Sequence, residues 1–373
     1  YTMGTIIEKN VNFLKYLKRQ GHTIILYTAR RMKTHSGNVG RVLKDIGKLT
    51  LDYLAEHDIP YDEIYFGKPY ADFYIDDKAI NAYCDLEKET GIYQNSVQER
   101  SMNNIEYSVM PIIIKKGEPW KIAGEIYYYT HIPDAIKGYF PVFIRADKDN
   151  YILEKVDGIN MSFLFVKQQM SCDIFKKMLT SLSLIHDYRP PATDDESSGT
   201  LKQKVYMHYR KRLASRSEHP IYDSLPHAKK IYNLLVQFFD YYERNDLARI
   251  AMIHGDPVFS NILITKEGTI KFIDMRGVLL DDATVYGDTL YDLAKIYQSL
   301  LGYDEHMHDT YANNLYKSKL ITELEQAFST VNFDWVKIIA YAHLYTLVPL
   351  HDYNKAIQYY ELIDVNALES LVK

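Results

Sequence analysis

Residues 252–277 read Met-Ile-His-Gly-Asp-Pro-Val-Phe-Ser-Asn-Ile-Leu-Ile-Thr-Lys-Glu-Gly-Thr-Ile-Lys-Phe-Ile-Asp-Met-Arg-Gly. An apolar run, Ile250 to Ile253, breaks into a polar loop, resumes at Ile262 to Ile264, turns at Lys-Glu-Gly and resumes again from Thr269 to Ile273. This pattern predicts a strand, a loop and a hairpin. Asp256 and Asn261 fall in the loop, and Asp274 follows thirteen residues after Asn261 at the end of an apolar strand. Two acids and an amide at a loop and a strand end are poorly explained by packing, so they are the first candidates for chemistry.

The spacing His-x-Asp-x-x-x-x-Asn, with a later Asp closing a strand, resembles the catalytic loop and metal aspartate of protein-kinase-like phosphotransferases. Within them it is closest to the aminoglycoside phosphotransferase and choline kinase group, which has His-Gly-Asp where protein kinases have His-Arg-Asp; here it is His254-Gly255-Asp256. Asp274-Met275-Arg276-Gly277 fits that group better than Asp-Phe-Gly does. The resemblance implies that Asp256 orients the attacking hydroxyl and that Asn261 and Asp274 hold Mg2+ against the phosphates of ATP.

The rest of the kinase pattern is assigned by order along the chain. Ser108 to Lys116 reads as a strand and Lys121 to Thr130 as a helix carrying Glu125. By the resemblance, Lys115 contacts the nucleotide phosphates and pairs with Glu125; Lys116 is the alternative, because a slip of one residue exchanges the faces of a strand. Phe143 to Ala146 and Tyr151 to Val156 form a hairpin, after which Glu154 to Val156 resembles the interlobe hinge that holds adenine through backbone groups. No Gly-x-Gly-x-x-Gly precedes the Lys strand, which argues against a protein kinase. Pro190 to Gly199 reads as a polar loop. Lys202 to Arg216 is read as a basic, solvated helix face, with a phosphate-reading patch as the alternative. In Gly287-Asp288-Thr-Leu-Tyr-Asp292-Leu-Ala-Lys295, Asp288 is expected to brace the catalytic loop and is treated as structural.

The first hundred residues have a different pattern. A helical spacing over Ile6 to Arg19 leads to a strand at Thr23 to Tyr27. A second helix is predicted over Val39 to His57, followed by strands at Glu63 to Phe66 and Asp72 to Ile75. Polar residues at the C-terminal ends of alternating strands point to an open, parallel, Rossmann-like α/β sheet. Tyr27-Thr28-Ala29-Arg30, Phe66-Gly67-Lys68-Pro69 and Tyr74-Ile75-Asp76-Asp77-Lys78 resemble haloacid dehalogenase-like (HAD-like) phosphatases, most closely their capsule-biosynthesis branch. That resemblance implies that Thr28 binds the phosphoryl oxygen, Lys68 neutralises it, and Asp76 and Asp77 hold magnesium. The family's nucleophile lies in an Asp-x-Asp-x-Thr upstream of the first helix, and residues 1–5 contain no Asp. The module is therefore read as partial: either a piece of a longer chain or a domain without phosphatase chemistry.

Composition bounds the whole. The chain has 373 residues, 47% of them apolar, which suits two domains with sizeable cores. A formal charge of −5 argues against a general nucleic-acid binder. Cys84 and Cys172 offer neither metal spacing nor a disulfide framework, and no apolar run reaches membrane-spanning length, so a reducing cytoplasm is expected. The 34 tyrosines are scattered and are read as packing.

The expectation is an α/β HAD-like module over residues 1–100 followed by an α+β, two-lobed kinase-like domain over 101–373, with its N-lobe at about 101–156 and its C-lobe at about 157–373. The implied activity is ATP- and Mg2+-dependent phosphorylation of a hydroxyl on a choline-, amino-alcohol- or sugar-like small molecule. The alternative is a HAD-type phosphatase whose kinase-like half binds a ligand.

Overall fold

The computed structural model describes residues 6–71, 86, 90, 103–107, 112–147, 150–190 and 195–372. The chain divides into two compact units, Tyr1–Asn95 and Ser96–Lys373.

In the first unit, helix α1 (Glu8–Arg19) opens with Glu8 and closes with Lys18 and Arg19, charges that suit the two ends of a helix dipole. Strands β1 (Ile25–Thr28) and β2 (Glu63–Phe66) pair in parallel, with Thr28 opposite Phe66. Parallel pairing needs a crossover. Here it contains α2 (Val39–Val42), a wider π turn over Leu43–Gly47, and α3 (Lys48–Glu56). The single helix predicted over Val39 to His57 is thus interrupted; Gly40 and Gly47, which favour no one backbone conformation, lie in the run. Met32, Val42 and Ile46 form the buried centre. The strand predicted at Asp72 to Ile75, with Asp76 and Asp77 after it, lies outside the described residues.

The second unit begins with a four-stranded antiparallel sheet in the order β3 (Asn103–Tyr107), β4 (Ile112–Gly117), β6 (Asn150–Glu154), β5 (Phe143–Ala146). Helix α4 (Pro119–Thr130) follows β4, with Pro in its first turn, where a missing N–H costs nothing. β7 (Gly158–Asn160), β9 (Ile262–Thr265) and β10 (Ile270–Phe272) make a second antiparallel sheet. A third joins β8 (Ile250–Met252) to β13 (Tyr286–Asp288), with the short hairpin β11 (Val278–Leu279) and β12 (Asp282–Ala283) preceding β13 in the chain.

The remainder is helical: α5 (Met161–Val166), α6 (Cys172–His186), α7 (Asp195–Ser217), α8 (Ala228–Arg244), α9 (Thr289–Leu301), α10 (Tyr303–His308), α11 (Asn314–Ala327) and α12 (Phe333–Leu347), then two shorter helices. α9 and α12 are buried on nearly every face and form the centre of this lobe. The loop predicted to run to Gly199 is shorter than expected, because α7 starts at Asp195. Among the described residues, no helix is long and apolar enough to cross a membrane.

Candidate active site

β4 alternates its side chains, and the alternation decides which lysine faces inward. Lys115 is 2% exposed, whereas Lys116 is on the outer side. Lys115 Nζ lies 2.7 Å from Glu125 Oε2 on α4 and 2.7 Å from Asp274 Oδ1. The Tyr151 hydroxyl of β6 donates to the same Glu125 oxygen. Burial works to lower the Lys115 pKa, but the carboxylates of Asp274 and Glu125 outweigh it and raise it. The ammonium is thus held between two carboxylates that favour its charged form.

Close backbone packing sets the distance between α4 and Asp274. A Cβ on Gly277 would stand 1.8 Å from the carbonyl oxygen of Gly124, so only glycine allows α4 to approach this loop. Asp274 itself has φ +64°, a left-handed conformation that Asp tolerates better than most residues.

Asp256 follows the buried strand β8. Its loop is held from behind by Asp292 of α9, which accepts from the backbone N–H of His254 at 2.7 Å and of Gly255 at 2.8 Å. His186 adds a ring nitrogen 3.0 Å from the same carboxylate. The expectation that Asp288 braces this loop is thus corrected. Asp288 caps α9 through the Leu290 N–H and accepts from Arg249 N–H, Tyr209 and Tyr242, one strand upstream of the loop.

Two backbone bonds join the loop to the Asp274 strand: Ile273 N–H donates to Asn261 O and Arg276 N–H to His254 O, each at 3.0 Å. Asn261 Nδ2 donates to the Asp256 carbonyl at 2.8 Å, which commits the amide nitrogen and leaves its oxygen for another partner. The Asp256 side chain is 43% exposed, with Oδ1 3.0 Å from Lys295 Nζ of α9. Burial pushes the Asp256 carboxyl up, but the Lys295 ammonium overcomes this and holds it below the ordinary value.

Glu154 ends β6 and Val156 follows it, both half-buried; Glu154 N–H donates to Val142 O at 3.0 Å, and Lys271 Nζ stands 3.6 Å from Glu154 Oε1. In the first unit, Thr28 and Lys68 come together at neighbouring strand ends, where Lys68 N–H donates to Thr28 O at 3.1 Å. Thr28 Oγ1 accepts from Arg30 N–H, also at 3.1 Å.

The donor chemistry suits magnesium. Among the described residues, no group of three or more His, Cys, Asp and Glu side chains could hold a metal ion. Mg2+, however, is commonly held by one or two carboxylates together with substrate phosphates, and Asp274 and the Asn261 oxygen are hard donors of that kind.

The second unit thus holds an antiparallel sheet with a buried Lys–Glu pair, a helical lobe, and a loop and strand end that present Asp256, Asn261 and Asp274. Choline kinase LicA from Streptococcus pneumoniae aligns with a TM-score of 0.48 at 13% identity, covering 72% of this chain and 89% of that one. Plasmodium vivax ethanolamine kinase aligns at 0.48 and 14% identity, covering 73% and 81%. The aminoglycoside phosphotransferase APH(3'')-Id from Streptomyces rimosus, solved with ADP and streptomycin, aligns at 0.45 and 13%, covering 65% and 90%. No family model matches the chain, and no curated protein matches it. At these scores, the functional reading rests on the geometry of the site.

Proposed function

We propose that residues 101–373 form a kinase that transfers the γ-phosphoryl group of ATP to a hydroxyl of a small molecule. The observation that carries this reading is the position of Lys115, 2.7 Å from both Glu125 and Asp274. A buried ammonium bridging a helix carboxylate to a strand-end carboxylate serves a polyphosphate better than it serves stability, since buried ion pairs contribute little net.

Lys115 binds the α- and β-phosphates, and backbone groups of Glu154 to Val156 hold the adenine. Asp274 and Asn261 hold Mg2+, which when bound neutralises charge on the phosphates. Asp256 accepts a hydrogen bond from the acceptor hydroxyl and orients its oxygen in line with the γ-phosphorus. The new oxygen–phosphorus bond forms as the bond to the β-phosphate oxygen breaks. ADP leaves with the electron pair, and the hydroxyl proton passes to Asp256 and then to water. Lys295 keeps Asp256 ionised and oriented between turnovers.

For residues 1–100 we infer a HAD-like module in which Thr28 and Lys68 position a phosphate, with Asp76 and Asp77 as its metal-binding pair. The adjacency of Thr28 and Lys68 at two parallel strand ends supports this assignment.

The kinase reading is tested by the magnesium dependence of ATP turnover in the full chain and in Asp274→Asn. Loss of turnover and of magnesium dependence in the variant, with thermal unfolding unchanged, is expected. An unaltered rate and magnesium requirement contradicts the assignment.

A further inference from the structure

The surroundings of Asp256 also carry information about the acceptor. Tyr291 of α9 has its hydroxyl oxygen facing two guanidinium groups: Arg276 Nη1 donates to it at 3.1 Å, and Arg212 Nη1 donates to it from α7. Lys295 Nζ lies 6.0 Å from the Tyr291 ring centre and 3.0 Å from Asp256. The other contacts of the two arginines are neutral: Arg212 Nε donates to Thr346 Oγ1 at 3.2 Å, and Arg276 Nη1 lies 3.2 Å from His208 Nε2. Among the described residues, neither guanidinium pairs with a carboxylate, and neither does Arg216 one turn beyond Arg212.

Elsewhere the basic helix α7 does neutralise itself. Lys204 pairs with Asp282 at 2.9 Å, and Arg210 pairs with Asp240 at 2.9 Å and Glu243 at 2.6 Å. Lys211, which is exposed, has no such partner among the described residues; the uncompensated charge beside Tyr291 is that of Arg212 and Arg276. A pocket bordered by His208, Gly255, Arg276 and Tyr291, with apolar walls from Val205, Ile253, Leu279 and Val285, opens beside Tyr291; Arg212 and Asp256 lie outside its lining. Asp288 also borders it, but four hydrogen bonds from Tyr209, Tyr242 and two backbone N–H groups occupy its oxygens. The loop is shaped for the arginine: a Cβ on Gly255 would stand 2.6 Å from Arg276 Cβ, so this glycine, the residue before Asp256, lets Arg276 pass against the loop.

Resting on the kinase reading, we propose that the acceptor is an anionic hydroxy compound, whose carboxylate or phosphate is seated by Arg212 and Arg276 beside Tyr291 while its hydroxyl reaches Asp256. Planar guanidinium groups bind such oxyanions through paired hydrogen bonds. A choline- or amino-alcohol-like cation would instead meet three like charges held around one carboxylate, and desolvating them against a cation is strongly unfavourable.

The test measures Mg–ATP-dependent transfer by the full chain to four probes: D-glycerate, sn-glycerol 3-phosphate, glycerol and choline. At least one anionic probe is expected to exceed glycerol and choline by about tenfold or more in kcat/KM, and the better of the two anions tells carboxylate from phosphate. Loss of one charged hydrogen-bond donor costs about tenfold in affinity. Arg212→Gln and Arg276→Gln should therefore each raise the KM of that anion by about tenfold while the KM of Mg–ATP stays within about threefold. Arg212→Lys should recover part of the loss, which a folding defect at that position would not allow. Choline or glycerol matching the anions, or an anion KM unmoved in both glutamine variants, overturns the proposal. A chain that binds Mg–ATP in equilibrium dialysis yet transfers to neither anion also overturns it. A chain that binds no Mg–ATP overturns the kinase reading beneath it.

Discussion

The ammonium of Lys295 stands 3.0 Å from Oδ1 of Asp256, and the two residues come from elements almost forty positions apart in the chain. Lys295 is buried on α9, whereas Asp256 is half-exposed at the mouth of its loop. The pair therefore points a fixed positive charge from the core toward the carboxylate proposed to meet the acceptor hydroxyl.

Replacing Lys295 by methionine keeps the length of the side chain and removes the charge. General-base contributions are on the order of 10² to 10⁴ in rate, and an unpaired Asp256 loses orientation and ionisation together. Lys295→Met is expected to lower the transfer rate by roughly one to two orders of magnitude, with Mg–ATP affinity within a few fold. Steady-state kinetics beside nucleotide titration checks this; a rate within twofold of the parent contradicts a positioning role.

Gly277 gives a test of how the two halves of the site are held together. With φ +62° and a Cβ position 1.8 Å from the Gly124 carbonyl oxygen, Gly277→Ala forces α4 away from the loop and takes Glu125 with it. Overpacking and left-handed strain together should cost about 3 kcal/mol or more. A clear drop in Tm and weaker Mg–ATP binding are expected, and an unchanged Tm would show that the backbone contact is dispensable.

Much of this site was legible before any coordinates. His254, Asp256, Asn261 and Asp274 share one short stretch, so their spacing alone carries the pattern. Thr28 and Lys68 are singled out only by the resemblance of their segments to HAD-like phosphatases, and they lie at neighbouring strand ends. Lys115 and Lys116 could not be separated, because period-two alternation names two faces without saying which is covered. Asp292 was passed over for Asp288, four residues earlier on the same segment. Its signal was a carboxylate in an otherwise apolar helical run, Leu290-Tyr-Asp-Leu-Ala, with Lys295 at i+3 on the same face. Arg212 and Arg276 are 64 positions apart in sequence, and only tertiary packing brings both to Tyr291. Nothing in the basic run from Lys202 to Arg216 distinguished the inward arginine from its solvated neighbours.

Asp304 of α10 supplies a pH-dependent prediction. It is fully buried near Ser299, Ser162 and the backbone of Ser260, and burial pushes its pKa from 3.8 up to about 6 despite those neighbours. As pH rises through this window, the unfolded chain releases a proton that the folded chain retains, so folding stability falls by about 3 kcal/mol. Below the window the two states are equally protonated and the penalty is absent. Asp304→Asn, which cannot ionise, should therefore be more stable than the parent at pH 7.5 and show no such gain at pH 4. Urea unfolding midpoints at the two pH values check this; an equal difference at both contradicts the burial of an ionising carboxyl there.

The central claim is that Asp256 acts on the acceptor while Asn261 and Asp274 act on the metal and nucleotide. It is tested most directly by measuring Mg–ATP affinity and single-turnover phosphoryl transfer side by side for Asp256→Ala and Asn261→Ala, using the best acceptor among the four probes. Asp256→Ala is predicted to lose transfer by orders of magnitude while Mg–ATP affinity stays within a few fold, and Asn261→Ala is predicted to weaken both. Equal loss of Mg–ATP binding in the two variants, or transfer that survives in Asp256→Ala, would contradict the account.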